Sequence, residues 1–330
     1  MLFSTVFALL IMKNPTGLPF GESSSSSGGI FSIVLIIALS AAGCPLQKQG
    51  NEKLLVIASI QPLASIVHEI GGEFVEVKTV VPPGANPHIF DLTPDLLLRC
   101  RQARLVVLVG YGLEFWSDKL LANIDTGRAH ILTAEKILSS PDCMGLPGSP
   151  DSISPPPPRF NANPHIWLDP VLMARVARGI GAELADRDPA HASTYARNSQ
   201  RVEDSLRALD REIRTNLSTI PPERRRFVAQ HASWEYFARR YGLEQAAVLE
   251  RVPGREVTPA ELSRLVELVR NSSVPLIFGE TSSPSKAASA LAVETGARLV
   301  LLDPLGSPAT AMSYFELMRF NAFRIVEAFR

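Results

Sequence analysis

Two histidines in this sequence stand in the same local setting. The pentapeptide ANPHI occurs twice, in ANPHIF at residues 85–90 and in ANPHIW at residues 162–167, and it places His88 and His165 directly after a proline. Proline restricts its own φ angle, so each imidazole is carried on a stiff turn that can be in place before a ligand arrives. Neutral imidazole is a common ligand of transition metals. The repeat therefore indicates that the two histidines act together on one metal ion.

Three more side chains with metal-binding chemistry follow apolar runs in the second half of the chain. His231 follows RFVAQ, Glu280 follows VPLIFG and Asp303 follows ARLVLL. Ligands of open parallel sheets bind beyond the carboxyl ends of the strands, so these side chains should lie at one edge of a sheet. Three imidazoles and one carboxylate complete a tetrahedral shell for zinc. By position alone, Glu280 is a candidate fifth ligand.

The elements that must position these residues follow from the hydrophobic periodicity. Strand-like runs alternate with helical periods in two blocks, which predicts βα units and largely parallel sheets. Between the blocks, residues 170 to about 215 are polar and compatible with a helix nearly throughout, with Asp188 and Pro189 as the place for a break. The strand-like runs are KLLVIAS (53–59), VEVKTVV (75–81), RLVVLVG (104–110), AHILTA (129–134), RFVAQ (226–230), QAAVLE (245–250), VPLIFG (274–279) and ARLVLL (297–302).

The predicted fold class is α/β, with two lobes that each hold a mostly parallel sheet flanked by helices and that are joined by one long connecting helix. We place the N-terminal lobe at residues 53–168, the linker helix region at 169–215 and the C-terminal lobe at 216–330. Residues 139–164 are rich in proline, serine and glycine, which predicts a surface loop. The formal net charge of zero, without a long basic run, argues against nucleic acid as a partner.

The N-terminus predicts export. Residues 30–43, IFSIVLIIALSAAG, form an apolar run that ends in small residues, which is short for a membrane span and typical of a signal peptide. We therefore assign residues 1–43 to a signal peptide. Met12 is a better initiator than Met1 because a positive charge, Lys13, follows it directly. An uncleaved N-terminal membrane anchor is the alternative.

The cysteines are interpreted in the light of export. The stretch LSAAGC resembles the bacterial lipobox, which implies a lipid on Cys44, a tether over residues 44–52, and a location in the periplasm or at the outer face of the cytoplasmic membrane. An oxidising compartment would permit a disulfide between Cys100 and Cys143, although nothing in their spacing requires one. The sequence contains no CxxC, so a thiolate zinc site is unsupported.

Several longer stretches resemble, in the same order, those of the zinc- and manganese-binding solute-binding lipoproteins of bacterial ABC transporters. The resemblance covers essentially all of residues 53–330. The stretches are GANPHIFDLTP (84–94), VLVGYGLEFWSDKL (107–120), NPHIWLDP (163–170), FVAQHASWEYFARRYGL (227–243), IFGETSSPSKAASALAVETGA (277–297), LLDPL (301–305) and SYFELMRFNAFRIV (313–326).

The resemblance implies a ligand set and a partner. Carried over residue by residue, the ligands fall on His88, His165, His231 and Asp303. The family also implies two α/β lobes bridged by one long helix. Its members bind a divalent metal outside the cytoplasm and pass it to a membrane permease driven by a cytoplasmic ATPase. We expect a monomer that closes only slightly on binding, because a rigid linker helix limits bending of the lobes.

The identity of the metal depends on the third ligand. Relatives that favour manganese tend to carry a glutamate where this chain has His231, and imidazole-rich sites suit zinc better than manganese. Zinc is therefore predicted, with manganese or iron as the alternative. Many zinc-specific relatives carry a histidine-rich loop before the second ligand, whereas the loop here has no histidine until His165. Glu280 is assigned to orienting a ligand imidazole or lining the cleft, with a helix-capping or packing role as the alternative.

Other classes of function are less consistent with the sequence. A zinc hydrolase could use Glu280 as its base, but the HExxH motif is absent and four protein ligands leave no open coordination position. An adhesin is a third class that no motif specifically supports. Because metal ligands must be deprotonated, an imidazole-dominated site predicts that affinity falls as the pH drops through about 6.5.

Overall fold

The structure is a computed structural model that describes residues 53–125, 127–138, 163–250, 255–306 and 313–330. The predicted signal peptide, Met12, the lipidation site Cys44, the tether at 44–52, Cys143 and most of the loop at 139–164 lie outside the described residues. Cys100 is described and its thiol is buried. No helix among the described residues combines the length and the apolar character needed to cross a membrane.

The described residues form two four-stranded sheets in which every strand pair is parallel. The first has the order β2-β1-β3-β4 and the second the order β6-β5-β7-β8, so both lobes use the same strand arrangement. The strands are β1 Leu54–Ala58, β2 Val75–Thr79, β3 Leu105–Leu108, β4 His130–Thr133, β5 Arg226–His231, β6 Glu244–Glu250, β7 Leu276–Glu280 and β8 Arg298–Leu302. All eight predicted strands and the two-lobe α/β class are confirmed.

Helices cover the sheets. They are α1 Gln61–Gly71, α2 Pro94–Cys100, α3 Ser117–Leu121, α4 Ala134–Ile137, α5 Pro170–Arg187, α6 Ala192–Ser218, α7 Glu235–Tyr241, α8 Pro259–Ser272, α9 Lys286–Thr295 and α10 Tyr314–Phe329. The central strands β3 and β7 are buried at every position, as expected when helices cover both faces of a parallel sheet. This burial explains why these strands appear in the sequence as continuous apolar runs.

The strand order places a crevice in each lobe. In the first sheet, β2 lies outside β1 and β4 lies outside β3, on opposite sides. In the second sheet, β6 and β8 flank β5 and β7 in the same way. Each sheet therefore has a topological switch point between its two central strands. Ligands bind at the carboxyl ends of strands at such a point. In the second lobe these ends carry His231, the last residue of β5, and Glu280, the last residue of β7.

The connecting region has the predicted break near Asp188 and Pro189, and one long helix, α6, follows it. It forms two helices, α5 and α6, that pack against each other and are separated by Asp188 and a short 3-10 turn at Pro189–His191. Asp188 precedes a proline, which disfavours helical geometry, and its φ and ψ angles of −137° and 75° end α5. Gly181 permits the close approach, because an added Cβ would lie 2.5 Å from Cβ of Ser199. Only α6 corresponds to the predicted linker.

The helix α6 contacts both lobes. It packs against α1 of the first lobe and against α7 and α10 of the second. One hydrophobic cluster runs through the first sheet, α5, α6, β5 and α10, while a smaller cluster fills the space between the second sheet and helices α8 and α9. The aromatic residues Trp116, Trp234 and Tyr236 are buried, at 3%, 1% and 3% exposure, so they belong to these cores and are not surface docking residues.

Candidate metal centre

The first copy of the repeat forms a tight turn after β2. The backbone N–H of His88 donates to Oδ1 of Asn86 at 2.9 Å, and the N–H of Ile89 donates to the Asn86 carbonyl at 3.3 Å. Asparagine favours such turns because its side chain can replace a backbone acceptor two residues away. His88 is half-buried, with the exposed Ile89 beside it. The turn therefore presents the imidazole at the surface of the first lobe.

The second copy forms the same turn with one further bond. Oδ1 of Asn163 accepts the backbone N–H of His165 at 3.0 Å and lies 2.7 Å from Nδ1 of the same histidine. An amide oxygen can only accept, so Nδ1 carries the proton and the lone pair of His165 is on Nε2. His165 is buried, at 3% exposure, and leads through a 3-10 turn into α5, whose first turn is capped by Asp169.

The third histidine is held by a carboxylate. Nδ1 of His231 lies 2.7 Å from Oε1 of Glu280, and Glu280 also accepts from the Ser233 hydroxyl at 3.2 Å. The Glu280 carboxylate therefore forms the hydrogen bond of Nδ1, and Nε2 is the other nitrogen of the ring. Nε2 of His231 is buried and has no hydrogen-bond partner among the described residues. A buried nitrogen with a lone pair and no donor to accept from is suited to a metal ion.

The three imidazoles converge on one point. A ligand atom from each of His88, His165 and His231 lies within 4.8 Å of the other two, and Nε2 of His88 is 3.2 Å from Nε2 of His165. Ring centroids are 5.1, 5.2 and 4.6 Å apart. For Zn–N bonds of 2.0–2.1 Å, the edge of a tetrahedron is about 3.3 Å long. The observed separation of two nitrogens is therefore close to that of two ligands on one zinc ion.

Burial keeps two of the imidazoles, those of His88 and His165, in the neutral form that binds metal. Burial lowers the pKa of His88 to about 3, and His231 adds to this shift while Glu280 opposes it. Burial, His231 and His88 together lower the pKa of His165 well below its ordinary value. Burial by itself raises the pKa of Glu280, but attraction to His231 and hydrogen bonds from His231 and Ser233 outweigh it, so this pKa is lowered. At neutral pH the rings of His88 and His165 are therefore neutral, and the Glu280 carboxylate beside His231 is ionised.

Asp303 has a different setting from the three histidines. It follows β8, is completely buried, and its Oδ1 accepts the backbone N–H groups of Leu305 and Gly306 at 3.0 and 2.8 Å. Asn321 brackets its backbone, donating to its carbonyl at 2.6 Å and accepting its N–H at 2.8 Å. The group of donor atoms within 4.8 Å of one another contains the three histidines and not Asp303. The structure thus brings together three of the four predicted ligands.

Sequence reasoning missed Asn163. Its amide bonds to His165 and also reaches residues beside His231, since Nδ2 donates to the Ala232 carbonyl at 2.7 Å. The signal was present in the repeat, where asparagine stands two residues before each histidine. The prolines and histidines of the repeat predict the turns and the imidazole donors, but they do not indicate the role of the asparagine.

Comparisons with known proteins agree with this architecture. A family model described as the periplasmic zinc-uptake complex component A matches residues 56–328. The chain is 26% identical over 310 residues to the iron-binding protein YfeA of Yersinia pestis, covering 92% of this chain and 96% of that protein. It is 27% identical over 297 residues to the manganese-binding lipoprotein MntA of Halalkalibacterium halodurans, covering 88% and 94%.

A solved structure shows the same fold. The crystal structure of ZnuA matches with a TM-score of 0.71 and 30% sequence identity, over 84% of this chain and 100% of that chain. The family match and the solved structure agree with the two-lobe α/β fold. By its sequence and its fold, the chain belongs to the periplasmic zinc-uptake component A family, the metal-binding, substrate-binding proteins of ABC transporters.

Proposed function

We infer that the protein captures zinc outside the cytoplasm and delivers it to the permease of an ABC transporter, whose cytoplasmic ATPase drives uptake. One observation carries this proposal: the imidazoles of His88, His165 and His231 converge on one point, and Nε2 of His88 lies 3.2 Å from Nε2 of His165. A hydrated cation that enters the cleft exchanges water for these nitrogens. The family consists of transporter solute-binding proteins, which are not enzymes, so binding and release without chemical conversion is the activity proposed.

The choice of zinc rests on ligand chemistry. The names of two relatives refer to iron and to manganese, so membership of the family leaves the metal open. Imidazole nitrogen suits zinc, whereas carboxylate and carbonyl oxygen suit manganese. In this chain the third position of the cluster is His231, and its carboxylate neighbour Glu280 is engaged with Nδ1 of that histidine. The donor set available to the ion is therefore rich in nitrogen.

Asp303 is proposed as the fourth ligand. It stands at the carboxyl end of β8, next to β7, whose last residue Glu280 contacts the histidine cluster. A carboxylate would complete a tetrahedral shell and would offset part of the positive charge of the ion in a buried site. Metal binding would then draw the Asp303 side chain and the three imidazoles closer together.

The cellular context is proposed from the N-terminal sequence. Removal of residues 1–43 would leave Cys44 as a lipidated first residue, with residues 44–52 as a short tether to the membrane. The lobes at 53–168 and 216–330, joined through the helical region at 169–215, would then act as a monomer at the outer face of the membrane. Delivery would follow docking of both lobes on the permease.

The proposal is tested by the metal content of the soluble body, residues 45–330, after dialysis against equimolar zinc and manganese. We expect one zinc per chain by mass spectrometry, lost when His88, His165 or His231 is replaced by alanine. His68→Ala is the matched control, because His68 is exposed on α1 and lies outside the cluster. One manganese per chain would retain the transport function and reject zinc. A folded protein without bound metal would refute the function.

A further inference from the structure

We propose that Asn163 is a positioning residue that makes the orientation of the ligand His165 depend on the contact between the two lobes. This inference rests on the proposed function and deepens it, because it names a structural link through which lobe separation would weaken the metal site.

The hydrogen-bond partners of the Asn163 side chain fix the direction of its amide. Oδ1 of Asn163 faces the backbone N–H of His165, which can only donate, while Nδ2 lies 2.7 Å from the Ala232 carbonyl and 2.8 Å from Oε2 of Glu235, which can only accept. These partners determine which amide atom is oxygen and which is nitrogen. The oxygen therefore accepts from Nδ1 of His165 and directs the Nε2 lone pair toward the other two imidazoles.

The remaining hydrogen bonds of Asn163 join it to the second lobe. Ala232 directly follows the ligand His231, and Glu235 is the first residue of α7 in the second lobe. The hydroxyl of Tyr236, also on α7, donates to the Asn163 backbone carbonyl at 2.9 Å. One amide side chain thus bonds to one ligand histidine through its oxygen and to the neighbour of another ligand histidine through its nitrogen.

The residues that follow continue this attachment to the second lobe. Nε1 of Trp167 donates to the Pro304 carbonyl at 2.6 Å, and the Tyr314 hydroxyl donates to the Trp167 carbonyl at 2.7 Å. Arg240 on α7 contacts the buried Asp169 at 2.7 Å. The segment 163–169 is therefore fastened to the second lobe at several points. His165 and His231 form a pre-arranged pair, whereas His88 belongs to the first lobe.

The first copy of the repeat offers a contrast inside the same chain. Asn86 accepts the backbone N–H of His88, and no hydrogen bond from its side chain to the second lobe is found in the part of the chain that the structure describes. Its role is confined to the turn. The two asparagines thus share a local function, and only Asn163 adds the link to the imidazole ring and the link between lobes.

The experiment compares variants of the soluble body by zinc release to an excess of chelator, together with the tautomer of His165 in the metal-free protein from imidazole ¹⁵N shifts. Asn163→Ala removes both links, and we expect zinc to dissociate roughly ten to a hundred times faster, the usual range for partners of metal ligands. We expect a mixed tautomer for His165 in this variant. Asn86→Ala is the matched control, with dissociation changed less than about threefold and the tautomer unchanged.

A second pair of variants separates the two links. Asn163→Asp keeps an oxygen for Nδ1 of His165 but loses the donor to Ala232 and opposes Glu235, so the tautomer should be retained while zinc dissociates faster. Adding Glu235→Gln provides an amide donor to Asp at this position, and we expect the double variant to recover part of the wild-type release rate. If Asn163 only supports the fold, the single variant Asn163→Asp and the double variant should release zinc at the same rate, because both lack the same asparagine.

The outcomes are distinguishable. Wild-type protein that binds no zinc refutes the proposed function, whatever the variants do. If wild type binds zinc and Asn163→Ala releases it no faster than Asn86→Ala, the inference about Asn163 is wrong and the function stands. Asn163→Asp with the wild-type release rate would likewise overturn the link between lobes. Circular dichroism of each metal-free variant confirms that the comparison is made on folded protein.

Discussion

The two copies of ANPHI begin as the same turn and end in different structural roles. In each copy the asparagine side chain accepts the N–H of the histidine two residues later, at 2.9 Å for His88 and 3.0 Å for His165. His88 stays half-buried on the first lobe, while His165 is buried and its segment is bonded to the second lobe. Identical local sequence therefore determines the turn, and the surroundings decide which lobe holds the imidazole.

The largest expected effect is on zinc affinity, and it should be similar for the histidines of the two copies. His88→Ala and His165→Ala each remove one imidazole from the cluster. Apparent binding energies of about 10–16 kcal/mol shared among about four ligands correspond to a loss of roughly a hundredfold to a thousandfold in zinc affinity per ligand. Competition with a zinc chelator measures this loss. A variant at either position that keeps wild-type affinity would remove that copy from the site.

A smaller effect on zinc affinity is expected from changes to the residues that orient His165 and His231. His165 is oriented by an amide and His231 by the carboxylate of Glu280. Glu280→Gln retains an oxygen that accepts from Nδ1 but removes the negative charge, so we expect zinc affinity to fall by about tenfold, at the lower end of the range for such partners. Glu280→Ala should cost more, because the ring loses its acceptor. Equal affinities for wild type and both variants would show that Glu280 only packs.

The pH dependence of the free energy of unfolding tests how burial affects the histidines of the two copies. Folding lowers the pKa of His88 to about 3 and lowers that of His165, so below about pH 6.5 the unfolded chain binds more protons than the folded chain. The free energy of unfolding of the metal-free protein should therefore fall as the pH drops from 7 to 5. Urea unfolding at both values measures it. His88→Gln, which removes one of these groups, should show a shallower fall, and an equal fall would contradict the assignment.

The same pKa shifts alter an expectation from the sequence. An exposed imidazole would be protonated below about pH 6.5 and would lose metal there. Because burial lowers the pKa of His88 to about 3 and also lowers that of His165, both rings stay neutral at lower pH, and the fall in zinc affinity due to His88 moves below pH 5. Calorimetric titration at pH 7 and 5, on protein shown to be folded at both values, would reveal a fall already complete at pH 5 if this is wrong.

The smallest expected effect concerns the surface contacts of the first copy. Lys119 donates to Asp91 and to the Leu92 carbonyl, both at 3.2 Å, just beyond the His88 turn. The pair is exposed, at 52% and 86% for the two side chains, and exposed ion pairs contribute little. Lys119→Ala should change the zinc dissociation rate by less than about threefold. A larger change would mean that the first copy depends on contacts beyond its own turn.

The strands were predictable because runs of apolar residues mark the buried strands in the sequence. The central strands β3 and β7 appeared as nearly continuous apolar runs, since parallel strands covered on both faces need apolar residues at successive positions, while edge strands such as β2, VEVKT, carry polar residues between apolar ones. The break at Asp188 was marked by the following proline, but the packing of α5 on α6 was not. Packing of that kind depends on Gly181 meeting Ser199, two residues whose contact no local pattern shows.

The candidate site was predictable in part. The positions of His231 and Glu280 at the ends of neighbouring strands follow from strand order and from the rule for parallel sheets. The hydrogen bond between them is a contact across 49 residues that only the assembled sheet creates. Asp303 was expected in the cluster, yet its Oδ1 accepts two backbone N–H groups of its own loop and the close group contains the histidines alone.

The two stiff turns, the eight strands and the candidate imidazole donors could be predicted from the sequence, because they depend on local backbone chemistry and on apolar periodicity. Three features depend on the assembled fold: the attachment of the His165 segment to the second lobe, the convergence of the three imidazoles, and the hydrogen bond from Asn163 to Ala232 across 69 residues. The physical reason is that a buried polar group must find a partner wherever the packed chain places one. The partner's position depends on the assembled fold, which local sequence does not contain.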